Sequence, residues 1–186
     1  MLTSEIAACC KELRLSHNIV DMSEKIQAES HKEYLFKFLK SELEHREYVR
    51  KDKLLKNASF YSINTFEGFR FDEVTLPGIV TPEYLKNCEF LDTKTNLVMY
   101  GNVGTDKTFL SIVLGVEACK KGIETRFFRT AALVNKLSEA KKSGTLSAFM
   151  KQISKAGLVI CDEWGYVPLD RTGAQLLFEV ISKCYV

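Results

Sequence analysis

The segment from Gly101 to Thr108 constrains the fold more than any other part of the chain. It reads Gly-Asn-Val-Gly-Thr-Asp-Lys-Thr, which matches the Walker A pattern of Gly, four residues, Gly, Lys and Ser or Thr at all positions but one. The exception is Asp106, which stands where the pattern has its second glycine. An apolar run at 96–100 precedes the loop, and an apolar stripe begins at Phe109. This order predicts a buried parallel strand, a glycine loop and a largely buried helix.

A loop of this kind binds phosphate through its backbone N–H groups and the N-terminus of the following helix. Lys107 would reach the β- and γ-phosphates of ATP, and the Thr108 hydroxyl would ligate Mg²⁺. The alternative is a glycine turn before an ordinary helix. We therefore predict an ATP site formed by Gly101, Asn102, Val103, Gly104, Thr105, Asp106, Lys107, Thr108 and Phe109.

A second motif, of the Walker B form, follows at 158–163, where an apolar run ends in Asp162 and Glu163. Phosphoryl transfer depends on positioning and charge more than on covalent help, so two adjacent carboxylates can divide the work. Asp162 would belong to the Mg²⁺ shell, and Glu163 would be the catalytic residue that polarises the attacking water. Without the glycine loop, the pair would be interpreted as a solvated turn after a buried strand.

Three segments, 96–108, 126–135 and 161–171, resemble the IstB family. This family comprises the ATP-binding helper proteins of an insertion-sequence transposase, which are AAA+ ATPases related to the DnaC and DnaI helicase loaders. The resemblance extends from about residue 30 to the last residue and is most specific in the segment Asp-Glu-Trp-Gly-Tyr-Val-Pro-Leu-Asp at 162–170. It implies hydrolysis of ATP to ADP and phosphate, DNA binding with little sequence preference, homo-oligomers formed through the ATPase core, and engagement of the transposase of the same element.

The chain is predicted to have three parts: a helical N-terminal region at 1–56 for DNA or partner binding, a linker at 57–95 that wraps the core, and a partial AAA+ core at 96–186. Strands alternate with helices in the last part, which predicts an α/β, P-loop NTPase fold with a doubly wound parallel sheet flanked by helices. The linker aromatics would wall the adenine or simply pack. They are Phe60, Tyr61, Phe66, Phe69 and Phe71.

Local signals set the remaining boundaries of the core. Gly122 marks the C-terminus of the helix after the loop, and 124–129 reads as the next strand. Thr130 is predicted to cap a helix at 131–142, and a short helix follows the break at 143–144. Asp170 is predicted to cap a last helix, whose apolar positions are Leu176, Leu177, Val180 and Ile181.

The N-terminal part carries an apolar stripe and a basic cluster. Leu35, Phe38, Leu39 and Leu43 recur at helical spacing. The basic cluster contacts the DNA backbone in one interpretation and is a solvated helix face in the other. The residues alone slightly favour the solvated face, whereas the resemblance favours DNA. The cluster consists of Arg46, Arg50, Lys51, Lys53 and Lys56.

Composition is compatible with a cytoplasmic protein that has no membrane partner. The chain has 46% hydrophobic residues and a net charge of +2, which is too small to indicate nucleic-acid binding by itself. Its six cysteines show no metal-ligand spacing, so we interpret them as reduced core residues. No apolar run is long enough for a membrane span, and no signal peptide is visible.

Two features predict an impaired site. The Asp106 carboxylate would repel phosphate unless it turns outward or pairs with Lys94 or Lys107. In the AAA+ sheet that the resemblance implies, the strand after the last helix lies between the two motif-bearing strands, and the chain ends at Val186, before that strand. We therefore expect a C-terminally truncated member with weak ATP binding and hydrolysis. The alternatives are a DnaC-like helicase loader and a non-catalytic fragment that binds DNA or a partner.

Overall fold

The computed structural model describes residues 2–16, 18–164 and 170–184. The chain forms two compact units, Met1–Asp52 and Lys53–Val186. Two strands occur in the described residues, β1 (Thr125–Arg129) and β2 (Leu158–Asp162), and Phe71–Glu73 forms a 3₁₀ turn. The helices are α1 (Leu2–Glu12), α2 (Ile19–Ser23), α3 (His31–Ala58), α4 (Pro82–Lys86), α5 (Glu89–Asp92), α6 (Lys107–Lys120), α7 (Thr130–Lys142), α8 (Leu146–Ile153) and α9 (Arg171–Cys184).

A buried carboxylate organises the first unit. Glu42 on α3 is 4% exposed and accepts hydrogen bonds from the backbone N–H of Ser16 at 3.0 Å and from Arg46 Nε at 2.5 Å. Burial alone would raise the pKa of Glu42, but the hydrogen bonds from Ser16 and Arg46 outweigh it and lower that pKa. The segment between α1 and α2 is thereby bonded to α3 through a charged side chain.

The predicted apolar stripe lies on α3, so the helix is confirmed. Its side chains at Leu35, Leu39 and Leu43 are exposed, and Phe38 is partly buried. No described residue covers this stripe fully.

The second unit contains the parallel sheet that was predicted. Strands β1 and β2 pair in parallel, with Thr125 opposite Leu158 at one end and Arg129 opposite Asp162 at the other. Helix α6 precedes β1, and α7 and α8 connect β1 to β2. Parallel strands require such helical crossovers, which explains why the strand and helix signals alternate in this part of the chain.

Helix α6 is the most buried helix of this unit, as its apolar sequence predicts. Gly115 permits the closest approach, because a Cβ there would lie 2.6 Å from the Phe60 ring and 2.8 Å from Ile160 Cδ1. A second apolar cluster joins α7, α8 and α9. Its buried members are Leu133, Val134, Leu137, Met150, Ile153, Leu176, Leu177 and Val180.

The strand predicted at 96–100 is wrong. The segment is extended but pairs with no strand among the described residues. Leu97 and Met99 pack against the cluster around α6, whereas Val98 and Tyr100 are 85% and 93% exposed. The apolar alternation is real, but a β-strand also needs a hydrogen-bonded neighbour, and the described part of the chain supplies none beside this segment.

The helix boundaries follow the sequence signals with one exception. Gly122 follows α6 with a φ of 82°, and the Asp170 carboxylate accepts a hydrogen bond from the N–H of Gly173 at 2.6 Å, so both predicted ends are confirmed. The predicted cap at Thr130 is wrong, because its hydroxyl donates instead to the carbonyl of Asp162 at 2.7 Å. The Gly165–Leu169 part of the resembling segment lies outside the described residues.

The cysteines are free thiols, and three of them, Cys10, Cys88 and Cys119, are buried. Burial raises the pKa of Cys161 to about 11. Cys161 is partly buried and Cys9 and Cys184 are exposed, so the prediction of core cysteines holds fully for three of the six. No helix within the described ranges has the length and apolar character needed to cross a membrane.

Candidate functional site

The glycine loop has the backbone of a tight turn that leads into a helix. Gly101 and Gly104 have φ values of 150° and 81°, in the region that glycine adopts most easily. Helix α6 begins at Lys107, within the 101–108 loop motif, and no side chain caps its first turn. The N-terminus of α6 therefore presents uncapped N–H groups at the end of the loop, which is the arrangement that binds phosphate.

Lys107 is bonded to the loop itself. Its Nζ donates to the carbonyls of Gly101 at 3.0 Å and Asn102 at 2.5 Å, and it lies 3.2 Å from Thr105 Oγ1. These acceptors are exposed, so a phosphate group can replace them. The ammonium group is thus already placed over the loop.

Asp106 adopts a left-handed backbone conformation with φ 51° and ψ 21°. This conformation is costly for a residue with a Cβ, and Asp and Asn tolerate it better than most. The side chain is exposed and makes no capping hydrogen bond to α6. No ion pair of Asp106 occurs among the described residues, so the pairings considered with Lys94 and Lys107 are not found. The carboxylate remains beside the helix N-terminus without a compensating cation.

One pair of hydrogen bonds joins the two motifs. Thr108 Oγ1 lies 3.0 Å and 2.9 Å from the two carboxylate oxygens of Asp162. The carbonyl of Asp162 accepts the Thr130 hydroxyl at 2.7 Å, which fixes the end of β2 from the other side. A hydroxyl and a carboxylate are hard oxygen ligands, the kind that Mg²⁺ prefers. The site therefore fits a magnesium ion held by two protein groups, with phosphate and water as its other ligands.

Glu163 stands directly after β2 with a φ of 60°. Its carboxylate oxygen Oε2 lies 3.9 Å from Arg129 Nε, and both side chains are about half exposed. Because Arg129 is the register partner of Asp162, the guanidinium lies at the carboxyl edge of the sheet together with both acids.

Tyr61, which the sequence indicated only as one of the linker aromatics, lies beside the acidic end of the sheet. Its ring lies 5.3 Å from Arg129 Cζ and meets the Phe127 ring edge-on at 5.6 Å. Partial burial raises the pKa of Tyr61, the carboxylates of Asp162 and Glu163 raise it further, and Arg129 and a hydrogen bond with Thr108 offset part of the rise. No local pattern links position 61 to the two motifs. Only the aromatic content of the linker indicated that it would pack on the core.

Phe109, predicted as part of the ATP site, lies in the first turn of α6. Its ring stacks on Phe69 of the 57–95 segment, with centroids 5.9 Å apart and planes 5° from parallel. Phe60 of the same segment packs on the cluster of Ile112, Val116 and Phe127. Aromatic side chains of this segment therefore contact α6 in two different clusters.

The basic cluster lies on α3, but its members differ in their partners. Arg46 is bonded to Glu42 and also donates to the carbonyl of Arg14. Lys51 forms an ion pair with Glu47 at 2.5 Å. Arg50, Lys53 and Lys56 are exposed, and Lys56 also takes part in an interaction within the chain. Arg46 thus has a structural role, and Arg50 and Lys53 are better placed for an external partner.

A glycine loop before a helix, joined through a threonine and an aspartate to an acidic strand end, defines a P-loop protein. The family of IstB-like ATP binding proteins matches residues 8–186, and this chain belongs to that family. The family resemblance and the P-loop fold class inferred from the sequence are thereby confirmed.

The names of similar proteins agree with this family assignment. The ATP-binding protein of insertion sequence IS5376 from Geobacillus stearothermophilus is 31% identical over 84% of this chain and 62% of its own length. The ATP-binding protein of insertion sequence IS21 from Pseudomonas aeruginosa is 31% identical over 92% of this chain and 65% of its own length. The corresponding protein of IS232 from Bacillus thuringiensis is also 31% identical, over 82% of this chain and 61% of its length. The chain thus spans less than two thirds of these relatives.

Proposed function

We propose that this chain is an ATP-binding helper of DNA transposition whose nucleotide site consists of the 101–108 loop, Asp162 and Glu163. The observation that carries the proposal is the contact between Thr108 and Asp162, with oxygen–oxygen distances of 2.9–3.0 Å. Residues this distant in sequence need not meet in an ordinary glycine turn, and their meeting forms a hydroxyl–carboxylate pair that suits Mg²⁺.

The proposed roles follow from the chemistry of each group. Bound Mg-ATP would supply the phosphoanhydride bond and the metal charge. Lys107 would exchange its loop carbonyls for β- and γ-phosphate oxygens, and Thr108 and Asp162 would bind the metal. Glu163 would orient and polarise a water molecule, and it would thus act as a general base close to the phosphate.

We further propose that ATP binding and hydrolysis are weak in this chain because of Asp106. Its exposed carboxylate lies at the helix N-terminus, where a phosphate would bind, and no described cation neutralises it. A non-catalytic protein that binds DNA or a partner is therefore the second candidate function.

The test of nucleotide binding is a titration with a fluorescent ATP analogue, with Mg²⁺ and with excess chelator. The proposal predicts weak, Mg²⁺-dependent binding that the change Asp162→Asn reduces further. Binding that is equally strong with and without Mg²⁺ would contradict the proposed metal site. Absence of binding in the parent and in Asp106→Gly alike would leave the non-catalytic function as the better account.

DNA binding is proposed for the exposed part of the basic cluster. Arg50 and Lys53 on α3 are the cations to change, because Arg46 is bonded to Glu42. Each lost phosphate contact should lower the slope of log affinity against log salt by about 0.9. The matched control is Lys37→Gln, since Lys37 on the same helix is already paired with Glu33 at 2.6 Å. If Arg50→Gln and Lys53→Gln leave the slope for a labelled duplex unchanged, this surface does not bind DNA.

The transposase of the same element is the proposed protein partner, and an oligomer through the ATPase core is the proposed assembly. A helicase loader would share the same nucleotide site, so the partner decides between the two. Capture of the purified transposase, but not of a replicative helicase, by the immobilised chain supports the transposition role. The reverse result supports a helicase loader.

A further inference from the structure

Two residues outside both motifs lie where the motifs meet. Arg129 ends β1 opposite Asp162, and its Nε is 3.9 Å from Glu163 Oε2. The Tyr61 ring lies 5.3 Å from Arg129 Cζ, and Tyr61 is close enough to Asp162 and Glu163 for their charges to raise its pKa. The pair therefore lies beside the proposed metal ligand Asp162 and the proposed catalytic base Glu163.

The Arg129 guanidinium can exchange Glu163 for another anionic partner. The ion pair between the two residues is long, at 3.9 Å, and it is solvated because the Arg129 side chain is 57% exposed and the Glu163 side chain 49% exposed. Such exposed pairs stabilise little. A phosphate group is a better partner, because the planar guanidinium can donate two parallel hydrogen bonds to it.

Tyr61 limits the directions in which Arg129 can point. A ring face near a guanidinium attracts the cation, and this contact keeps the side chain over the carboxyl edge of the sheet. Tyr61 is itself fixed by its edge-on contact with Phe127, whose ring also meets Phe60 at 5.9 Å. Phe127 is 5% exposed, so the ring that supports Tyr61 belongs to the core.

We propose that Arg129, oriented by Tyr61, binds the terminal phosphate of a nucleoside triphosphate and gives the site its preference for triphosphate over diphosphate. The metal that Thr108 and Asp162 would hold would bind β- and γ-phosphate oxygens, and Arg129 is the register partner of Asp162, so its guanidinium could reach the terminal phosphate. A diphosphate has no group at that position. Arg129 is then a specificity-determining residue and Tyr61 a positioning residue, and both assignments rest on the proposed nucleotide binding.

The test compares the dissociation constants of ATP and ADP, each carrying a fluorescent ribose label, with Mg²⁺ present. It uses the parent chain and the Asp106→Gly chain, so that weak binding in the parent does not hide the effect. Arg129→Gln should weaken ATP binding by about tenfold, the effect of one lost charge-assisted hydrogen bond, and leave ADP binding nearly unchanged. Tyr61→Leu should likewise reduce the preference for ATP over ADP. Tyr61→Phe, which retains the ring, should keep most of it.

The matched control is Arg126→Gln on the same strand. Arg126 donates to the Asn57 carbonyl at 2.8 Å and pairs with Glu124 at 2.8 Å, away from the acidic edge, so this change should leave the ATP-to-ADP ratio intact. Equal weakening of ATP and ADP by Arg129→Gln would overturn the inference while the nucleotide site stands. An unchanged ratio in both Arg129→Gln and Tyr61→Leu would also overturn it. If neither background binds either nucleotide, the proposed function fails, and the inference with it.

Discussion

Replacing Asp106 with glycine tests how a single residue limits the site. The carboxylate is exposed at the N-terminus of α6, so its repulsion of a phosphate is partly screened by water. At a separation of about 5 Å, the repulsion is about 1 to 3 kcal/mol for effective dielectric constants between those of bulk water and a protein surface. Removing it should tighten Mg-ATP binding by roughly 5- to 150-fold.

The backbone contributes a second, smaller effect. Asp106 has a φ of 51°, a conformation that costs an L-residue about 1–2 kcal/mol and costs aspartate less than most. Glycine adopts it without strain, but its greater freedom in the unfolded chain opposes the gain by about 0.5–1 kcal/mol. We therefore expect little net change in the free energy of unfolding and a large change in nucleotide affinity.

Two further variants distinguish the effect of the Asp106 charge from the effect of its backbone conformation. Asp106→Asn removes the charge and keeps a side chain that tolerates this conformation, whereas Asp106→Ala removes the charge but tolerates the conformation poorly. The assay is titration with a fluorescent ATP analogue at low and high salt. If charge dominates, Asp106→Asn recovers most of the gain, and the gain shrinks at high salt. The reasoning is refuted if the parent binds Mg-ATP at micromolar affinity and Asp106→Gly binds no better.

Three predictions concern stability. Gly115→Ala should lower the free energy of unfolding by about 1–3 kcal/mol in urea titrations, because the added Cβ would overlap the Phe60 ring, whereas Gly78→Ala, with open space around it, should be nearly neutral. Asp170→Ala should destabilise α9 by about 1 kcal/mol, measured by thermal melting, because it removes the N-terminal cap. The lowered pKa of Glu42 stabilises the fold above its unfolded value of about 4.5, and this contribution is lost as the pH falls through the folded value. In urea titrations followed by circular dichroism at several pH values, Glu42→Gln should therefore have a lower free energy of unfolding than the parent above pH 4.5, and its stability should change less with pH below that value.

The parts of the fold that were predictable from sequence are those with a strong local signal. Helix α6 has an apolar sequence that only burial explains, and β2 is an apolar run that ends at Asp162, with Glu163 directly after it. The Asp170 cap is likewise a local matter, since the carboxylate reaches an N–H three residues away. Motif spacing also predicted that Thr108 and Asp162 act on the same ligand, and their side chains are in contact.

The errors concern interactions with distant residues. The 96–100 segment has the alternation of a strand, but strand formation depends on a neighbour that its own residues do not specify. Thr130 has the side chain of a helix cap, but the carbonyl of Asp162 across the sheet binds its hydroxyl instead. Tyr61 reaches the site because the segment after α3 turns back over β1. The course of this segment depends on how its side chains pack on the core, and no local sequence pattern predicts it.

The central claim is that the glycine loop and Asp162 form one Mg²⁺-dependent nucleotide site. Calorimetric titration of Mg-ATP into the Asp106→Gly chain, beside the same chain carrying Thr108→Val, tests it most directly. We predict binding in the first that chelation of Mg²⁺ weakens strongly, and a loss of most of that Mg²⁺ dependence in the second, because valine keeps the shape of threonine without its hydroxyl. Equal, Mg²⁺-independent binding in both chains, or no binding in either, would contradict the account.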